Sequence, residues 1–505
     1  MKYVDYFLDR ITMYRLVLYY LIGLLLAAVG LSIFGSLGYK PASIAFSAVY
    51  ITLVCWISNR LFAYVFKAPV NVESVYITAL ILALIVTPIR TSHDLIFLTA
   101  IGGLAIASKF ILAIKNKHIF NPAAVAVALT AAGAGQSASW WVGSLSILPF
   151  VVIGGLLVVR KIKRFTMVLS FFGAVIMSTV LVNIALSSHS DALFILQKTA
   201  FHSSLFFLAF IMLTEPLTSP ATKGKQIWYG ILAGTLFPPQ IHIFNTYSTP
   251  ELTLLVANVY AYLVSPKYKL MPTFIKKVNI AHNSLDFIFR PDRRVSYKPG
   301  QYMEWTLTHN NSDSRGNRRY FTLASSPTEE DLRLGVKFYP GGSSFKKAML
   351  AMDESTPIAA GQLGGDFTLP DDQTKKLAFI AGGIGITPVR SMVKYMLDTN
   401  QNRSATLLYS GSTGKDFAYI DVFSEAERRK ILKATYTITE SAPQGWHGQT
   451  GYINKQMIIN QIPDYMDRLF YISGSHSLVT AVSDALHSIG VSRHQIKIDF
   501  FPGYM

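Results

Sequence analysis

Residues 318–327 read RRYFTLASSP. The pattern predicts a strand that runs into a turn, with a basic residue, an aromatic and a hydroxyl in close succession. The Arg319 guanidinium suits a phosphate, the Phe321 ring suits stacking, and the Thr322 hydroxyl suits a ring nitrogen, as a flavin requires. Residues 318–327 are therefore called the flavin stretch. Tyr320 lies within the same candidate cofactor site. An ordinary amphipathic strand with exposed arginines is the alternative.

Glycine-rich turns continue the pattern downstream. Gly342, Ser343 and Ser344 follow a predicted strand at 332–339, so that a flexible backbone leads into hydroxyls at a helix start. Such a helix start suits a pyrophosphate, because its free N–H groups point at the ligand. Many short strands with turn signals between them, the first of which spans 280–289, predict a small antiparallel β-barrel.

The pattern of predicted elements changes after residue 370. A buried strand at 377–381 is followed by GGIGITP at 382–388 and by a predicted helix. Strand, glycine turn and helix in this order form a dinucleotide site, although the spacing differs from G-x-G-x-x-G and is weak alone. Strands recur at 405–409, 434–439 and 469–473 with helical pieces between them. This alternation predicts an α/β domain with a parallel sheet.

Composition divides the chain into two halves. Hydrophobic residues make up 51% of the 505 residues and charged residues only 15%, and the long apolar runs lie within 1–265. One half is therefore expected in a membrane and the other in water. The net charge of +17 is assigned to loops beside apolar spans, which argues against nucleic-acid binding. Cys55 is the sole cysteine, so an intrachain disulfide and a cysteine-held iron–sulfur cluster are excluded.

The apolar runs within 1–265 predict about ten membrane spans, as in a multi-pass protein of the cell inner (plasma) membrane. The predicted spans are 13–36, 42–58, 73–88, 93–114, 119–134, 141–160, 165–187, 197–214, 226–245 and 250–265. Basic residues concentrate in alternate loops, for example at 160–164, which places both termini on the cytoplasmic side. The short segment 119–134 is expected to be a broken or re-entrant piece.

Two polar stretches interrupt these spans. Asn121 followed by Pro122 is either a simple helix cap or an anion site at a helix start. Residues 214–220 read TEPLTSP, where two prolines beside a carboxylate predict broken backbone. Broken backbone at membrane depth usually lines a cavity or a site.

Four stretches of the membrane half resemble a known protein family. SVYITALILALIVTP at 74–88, HIFNPAA at 118–124, WWVG at 140–143 and LTEPLTSP at 213–220 resemble the flavin-carrying membrane subunit of the Rnf complex. They equally resemble its sister, the equivalent subunit of the sodium-translocating NADH:quinone oxidoreductase. The resemblance implies a two-repeat helical bundle with FMN joined to a threonine.

The family's Ser-Gly-Ala-Thr attachment motif is not found between 135 and 200, which leaves a flavin or quinone held noncovalently. The candidate residues for it are Asn121, Thr214, Glu215 and Thr218.

Residues 275–505 resemble the ferredoxin–NADP reductase family, which implies an FAD barrel followed by a nicotinamide domain. The matching FAD residues are Arg319, Phe321 and Thr322, with Gly342, Ser343 and Ser344 in the pyrophosphate loop. The matching nicotinamide residues are Gly382, Gly383, Gly385, Thr387, Pro388 and Gly474. Thr322, Asp499, Phe501 and Ser473 are the predicted catalytic residues, Ser473 standing where many members have cysteine.

Together these features predict three domains: a transmembrane bundle at 1–266, an FAD-binding β-barrel at 267–371 and an NAD(P)-binding α/β domain at 372–505. The predicted function is electron transfer from NADH or NADPH through FAD to a membrane flavin, such as FMN, or to quinone. Ser410 to Ser412 lack a basic residue for a 2′-phosphate, which favours NADH. The alternatives are a redox-linked ion or solute transporter, a plain membrane anchor for the reductase, or one component of a larger Rnf-like electron transport complex. No metal site is predicted, and the expected partners are lipid and an electron acceptor.

Overall fold

A computed structural model describes residues 4, 7–8, 11–66, 72–114, 117–185, 192–201, 204–243, 246–265, 269–310, 312–313 and 316–501. The chain forms two compact units, Met1–Tyr268 and Lys269–Met505, called here the membrane unit and the reductase unit. The further division predicted at residue 371 stays a prediction.

The membrane unit is built from helices, with a two-stranded hairpin at two of the connections. Its first half contains α1 (Met13–Ile33), α2 (Pro41–Val65), α3 (Val72–Ile85), α4 (Asp94–Ile111), the hairpin β1 (Ala113–Ile114) and β2 (Lys117–His118), and α5 (Pro122–Ala134). Its second half contains α6 (Leu148–Ile162), α7 (Phe165–Ala185), α8 (Ala192–Phe201), α9 (Leu205–Phe207) with a π-helix at Leu208–Met212, α10 (Lys223–Leu236), the hairpin β3 (His242–Ile243) and β4 (Thr246–Tyr247), and α11 (Pro250–Val264).

One arrangement occurs twice in this unit. A helix leads into a two-stranded hairpin and then into a short helix that starts with proline: α4–β1–β2–α5 and α10–β3–β4–α11. Both short helices are capped in the same way, because Asn121 accepts a hydrogen bond from the Ala124 N–H and Thr249 from the Leu252 N–H. Proline at the first helical position suits each start, since that N–H would have no helical partner.

The prediction of ten spans is not supported. Each predicted segment contains a helix, but among the described residues only Met13–Ile33, Pro41–Val65, Asp94–Ile111 and Phe165–Ala185 are long and apolar enough to cross a membrane. The bent pair Leu193–Phe201 and Leu205–Met212 makes a fifth span if its two parts count as one. Helices such as α5 and α11 fall short of the about 20 residues that a span requires. Four or five candidate spans still indicate a membrane protein.

The reductase unit begins with two antiparallel three-stranded sheets. Their strands are β5 (Thr273–Ala281), β6 (Ser284–Arg290), β7 (Tyr302–Leu307), β8 (Arg318–Thr322), β9 (Leu332–Lys337) and β10 (Ile358–Gly364), with α12 (Ser344–Ala351) between β9 and β10. The first sheet has the order β10–β7–β8 and the second the order β5–β6–β9.

The single strand expected at 280–289 is wrong. The chain turns at His282 and Asn283, and the antiparallel strands β5 and β6 pair across that turn. Asn283 has a φ of 53°, a left-handed conformation that asparagine tolerates better than most residues. The flavin stretch does form a strand, β8, and its turn follows.

The remainder of the unit contains β11 (Lys376–Gly382), α13 (Thr387–Asp398), β12 (Ala405–Gly411), α14 (Ile420–Arg428), β13 (Leu432–Ile438), β14 (Gln449–Thr450), α15 (Lys455–Gln461), β15 (Arg468–Ser475), α16 (His476–Ser488) and β16 (Ile496–Phe501). Its strands form a six-stranded parallel sheet in the order β14–β13–β12–β11–β15–β16, which confirms the predicted parallel sheet. Apolar side chains bury both faces, with Phe379 and Tyr471 in one cluster and Ile380 and Phe470 in the other. Parallel strands covered on both faces read as continuous apolar runs, which is why they were visible in the sequence.

Candidate functional site

The two faces of β8 have different surroundings. Arg319 and Phe321 point to one side, where both contact Phe345 of α12: the Arg319 guanidinium lies 5.2 Å and the Phe321 ring 6.0 Å from the Phe345 ring centre. Thr322, on the other side, is buried. Tyr320 is 43% exposed, and its hydroxyl donates to Glu304 Oε2 at 2.8 Å. The strand therefore offers a cation and an aromatic ring on the side that faces the start of α12.

A carboxylate already binds where the sequence predicts a pyrophosphate. Asp313 Oδ1 accepts from Arg319 Nη2 at 3.2 Å, and Asp313 Oδ2 accepts from the Ser344 backbone N–H at 3.1 Å. Ser343 caps α12 by accepting from the Lys346 N–H. Arginine and a helix start that together hold one anionic group have the donor set that a diphosphate requires, so these residues fit the phosphates of FAD.

Gly342, in the same loop, lies next to Ser343 and Ser344 at the start of α12. Sequence reasoning missed Asp313 and Phe345, since neither lies in a motif. Asp313 belongs to the polar loop just before β8 and folds back onto Arg319, whereas Phe345 comes close to Arg319 through packing of a later segment.

The turn that ends the flavin stretch is fixed to the helix that follows the nicotinamide loop. Arg390 Nη1 of α13 donates to the Ala324 carbonyl at 3.0 Å, and the Ser391 hydroxyl donates to the Ser325 carbonyl at 2.6 Å. Arg390 also pairs with Glu329. These buried bonds hold the end of the flavin stretch and the start of the parallel sheet in one arrangement. No motif in the sequence signalled them.

The predicted nicotinamide loop lies at the carboxyl ends of the central strands. Gly382 ends β11, Gly383 has a φ of +54°, and Thr387 and Pro388 begin α13. A Cβ atom on Gly385 would lie 2.6 Å from Gly474 Cα and 2.7 Å from the Ser473 carbonyl oxygen. Only glycine at 385 allows the loop to approach the end of β15 this closely, so the structure brings Gly385, Ser473 and Gly474 together.

Ser473 and Asp499 are register partners in the neighbouring strands β15 and β16. The Ser473 hydroxyl is fully buried and has no hydrogen-bond partner among the described residues. A buried polar group without a partner is costly and calls for an explanation such as a ligand or a catalytic role. The backbone of Phe501 belongs to β16, but its side chain lies outside the described part of the structure.

The membrane unit brings three of its four candidate residues into one hydrogen-bonded cluster. Glu215 Oε2 accepts from Asn121 Nδ2 at 2.9 Å and from the Thr218 hydroxyl at 3.1 Å. Thr214 is adjacent in sequence, but its hydroxyl donates to the Phe210 carbonyl at 2.6 Å. Sequence reasoning missed His118, whose Nε2 lies 3.9 Å from Glu215 Oε1. The motif HIFNPAA contains this histidine.

A cleft of about 660 Å³ opens beside this cluster. Its lining is mostly apolar, and Asn121, Thr214 and Glu215 are among its few polar residues. Ligand sites of small molecules have this balance of apolar wall and few polar groups.

Comparison with known proteins finds relatives of the C-terminal part of the chain. Residues 379–484 match the family described as "Oxidoreductase NAD-binding domain". The glycine betaine monooxygenase reductase subunit of Pseudomonas aeruginosa is 30% identical over 217 residues, 41% of this chain and 58% of that protein. A flavohemoprotein of a Burkholderia species is 29% identical over 231 residues, 45% of this chain and 57% of that protein. The chain thus spans somewhat more than half the length of these relatives.

Among solved structures, the flavohem-like FAD/NAD-binding domain of nitric oxide dioxygenase from Vibrio cholerae is similar, with a TM-score of 0.41 at 19% identity. The matched region covers 46% of this chain and 98% of that domain. Residues 379–484 are thus similar to the NAD-binding domain of oxidoreductases. The resemblance of residues 275–505 as a whole to the ferredoxin–NADP reductase family stays a prediction. The resemblance of the membrane unit to the Rnf protein stays a prediction.

Proposed function

We propose that this chain is a membrane-bound oxidoreductase that passes electrons from NADH through FAD to an acceptor held in its membrane unit. FAD bound in the reductase unit would supply the chemistry that links two-electron hydride transfer to single-electron release. Arg319 and the start of α12 would hold the FAD phosphates, and Phe321 and Thr322 would contact the ring. The loop 382–388 would hold the nicotinamide nucleotide, with Ser473 beside the hydride path.

The joint binding of one carboxylate by Arg319 and the α12 start carries this proposal, together with the family match at 379–484. The purified full-length protein should release FAD on denaturation, and NADH should bleach its flavin absorbance under anaerobic conditions. NADPH should do so with a lower kcat/KM. A protein without bound or bindable FAD would disprove the proposal.

The cleft beside Glu215 supports quinone as the membrane acceptor. A quinone ring needs an apolar slot and a few hydrogen-bonding groups, and the cleft offers both. A noncovalent flavin in the same cleft is the second candidate. A flavin count on the purified protein separates the two, because quinone predicts FAD alone and the second candidate predicts an additional flavin.

A redox-linked transporter is the alternative function. The π-helix at Leu208–Met212 and the break at Pro216 are irregular backbone beside a cleft, a feature of transport sites in broken helices. Proteoliposomes containing the protein should then accumulate sodium ions or protons when NADH is added. NADH-driven quinone reduction without ion movement would favour the plain oxidoreductase.

A further inference from the structure

His118 and Glu215 lie between two clefts of the membrane unit. Glu215 lines the 660 Å³ cleft together with Asn121, whereas His118 lines a second cleft of about 280 Å³ with Thr218 and Ser219. Leu217 lines both. The imidazole and the carboxylate are 3.9 Å apart at their nearest atoms, so the pair connects the two clefts.

Glu215 and His118 each have one side-chain atom that faces the other residue. Asn121 and Thr218 both donate to Glu215 Oε2, whereas Oε1 faces the imidazole. His118 Nε2 is buried and has no hydrogen-bond partner among the described residues. A distance of 3.9 Å is long for a hydrogen bond, but acid–base pairs in ligand-free structures often shorten when the ligand binds.

The surroundings hold the carboxylate in a fixed position. Asn258 of α11 accepts from the Asn121 backbone N–H at 2.9 Å and donates to the Tyr229 hydroxyl at 3.0 Å and to the Thr218 carbonyl at 3.3 Å. Asn258 is fully buried. The start of α5, the middle of α11, the segment that follows the π-helix and α10 are thereby connected through one network around Glu215.

Other charged groups act on the pair from neighbouring elements. Lys109 of α4 donates to the Ser74 carbonyl at 2.9 Å and interacts electrostatically with both His118 and Glu215. Lys117 precedes His118 in β2, and Arg164 donates to the Ser219 hydroxyl. Tyr229 of α10 interacts with Glu215 and reaches Asn258. The pH response of the pair therefore includes these groups.

From this arrangement we infer that Glu215 and His118 form a proton relay that supplies the reduced quinone, an inference that rests on the proposed function. Reduction of a quinone to hydroquinone consumes two electrons and two protons. NADH, oxidised to NAD⁺, supplies the electrons through the reductase unit.

In each of two passes, the Glu215 O–H bond breaks while an O–H bond forms on a quinone oxygen. The resulting carboxylate takes a proton from the His118 imidazolium. The neutral His118 then takes a proton from bulk solvent through the smaller cleft, so the protons that the relay delivers to the quinone come from solvent. A general acid must lie within hydrogen-bonding reach of the atom it protonates, and among the residues lining the larger cleft Glu215 is the carboxylic acid.

The test uses the full-length protein in proteoliposomes with two acceptors. Ferricyanide takes single electrons and needs no proton, whereas decylubiquinone needs both. The variants Glu215→Gln and His118→Gln should keep the wild-type ferricyanide rate and lose at least tenfold in the quinone rate. Glu215→Asp, which keeps a titratable group, should recover part of the quinone rate with a shifted pH profile.

Glu251→Gln is the matched control, because Glu251 is also a buried carboxylate of this unit but accepts from Trp140 Nε1 at 3.2 Å, away from the pair. It should keep both rates. Monodisperse elution and an unchanged melting temperature show that the variants are folded, and if Glu215→Gln is misfolded the comparison rests on Glu215→Asp and His118→Gln.

Wild-type quinone rates in both Gln variants, or equal losses with both acceptors, would overturn the relay and leave the proposed function standing. A wild-type protein that reduces ferricyanide but not quinone would overturn the quinone assignment and the relay together.

Discussion

The Tyr419 hydroxyl donates a hydrogen bond to Asp286 Oδ1 at 3.1 Å, joining the parallel-sheet part of the reductase unit to strand β6. Arg333 Nη1 donates to the other carboxylate oxygen at 3.2 Å. Asp286 is fully buried, and Tyr419 has a left-handed backbone with a φ of 61° at the start of α14. The bond therefore fixes the relative position of the two parts that would hold FAD and nicotinamide.

The Tyr419→Phe variant should be less stable by about 1–3 kcal/mol, because it leaves one oxygen of a buried carboxylate without a donor. Chemical denaturation of the full-length protein, followed through the reductase unit's tryptophan and flavin signals, measures the loss. Tyr452→Phe is the control, since Tyr452 is 79% exposed and should change the free energy of unfolding by less than about 0.5 kcal/mol. Equal effects of the two substitutions would show that the hydrogen bond between Tyr419 and Asp286 does not stabilise the protein.

The stability contribution of Asp286 should depend on pH in a defined direction. Burial raises the pKa of Asp286, and Arg333 and Arg390 only partly oppose that rise. The folded protein therefore binds this proton more tightly than the unfolded chain, whose carboxyl titrates near pH 4. By linkage, this group's contribution to stability is largest below about pH 4 and falls as the pH rises through the folded pKa.

Asp286→Asn removes this titration. Subtracting the free energy of unfolding of the variant from that of the wild type should give a difference that decreases between about pH 4 and neutrality. Asp353→Asn serves as the exposed control. Hydrogen bonds from Ser355 and Thr356 lower the pKa of Asp353, so its contribution to stability changes with pH in the opposite direction. A flat difference for Asp286→Asn would show that its pKa is not raised.

The contact between Arg319 and Asp313 makes opposite predictions for two substitutions. Arg319→Gln should weaken FAD binding at least tenfold, because a charge-assisted contact to phosphate is lost. Asp313→Asn should strengthen it, since the carboxylate that competes for Arg319 and the α12 start is removed. Fluorescence titration of the deflavinated protein gives both dissociation constants. Arg293→Gln, on the surface and paired with Asp292, should leave the constant unchanged.

The close approach of Gly385 to β15 predicts a selective loss of nicotinamide binding. A methyl group at 385 would meet backbone atoms of Ser473 and Gly474 at 2.6–2.7 Å, and backbone cannot yield as a flexible side chain does. Gly385→Ala should therefore lower the NADH-dependent rate at least tenfold while FAD remains bound. In Gly414→Ala the nearest atom is 3.8 Å away on Trp446, so this rate should stay near that of the wild type.

The sequence predicted those parts of the site that depend on local order. Residues 318–322 form a strand and 382–388 lead from a strand into a helix, because alternation, glycine and proline fix these shapes within a few residues. The hairpin at Asn283 was missed, since a left-handed asparagine is a weaker turn signal than glycine. Asp286 and Tyr419 are 133 residues apart, and no local pattern reports a contact over that distance.

In the membrane unit, too, the sequence did not predict contacts between distant segments. Apolar runs located ten helical segments, and 119–134 was predicted to be short, but hydropathy alone did not show that α11 is also short or that both helices begin after hairpins. Glu215 and Asn121 were selected separately, each from its own proline-containing stretch. Their hydrogen bond arises because segments 94 residues apart fold together.

Removal of the membrane unit should separate the two half-reactions. Residues 269–505 form a compact unit with its own apolar clusters, so they should fold alone, bind FAD and reduce ferricyanide with NADH at close to the full-length rate. Decylubiquinone reduction should fall at least tenfold, because the cleft beside Glu215 belongs to the removed part. Stopped-flow absorbance of the flavin in both proteins isolates hydride transfer from the later steps and controls for a damaged nicotinamide site. If the shortened protein keeps the full quinone rate, quinone reacts at the reductase unit itself, and the helices serve only to hold that unit at the membrane.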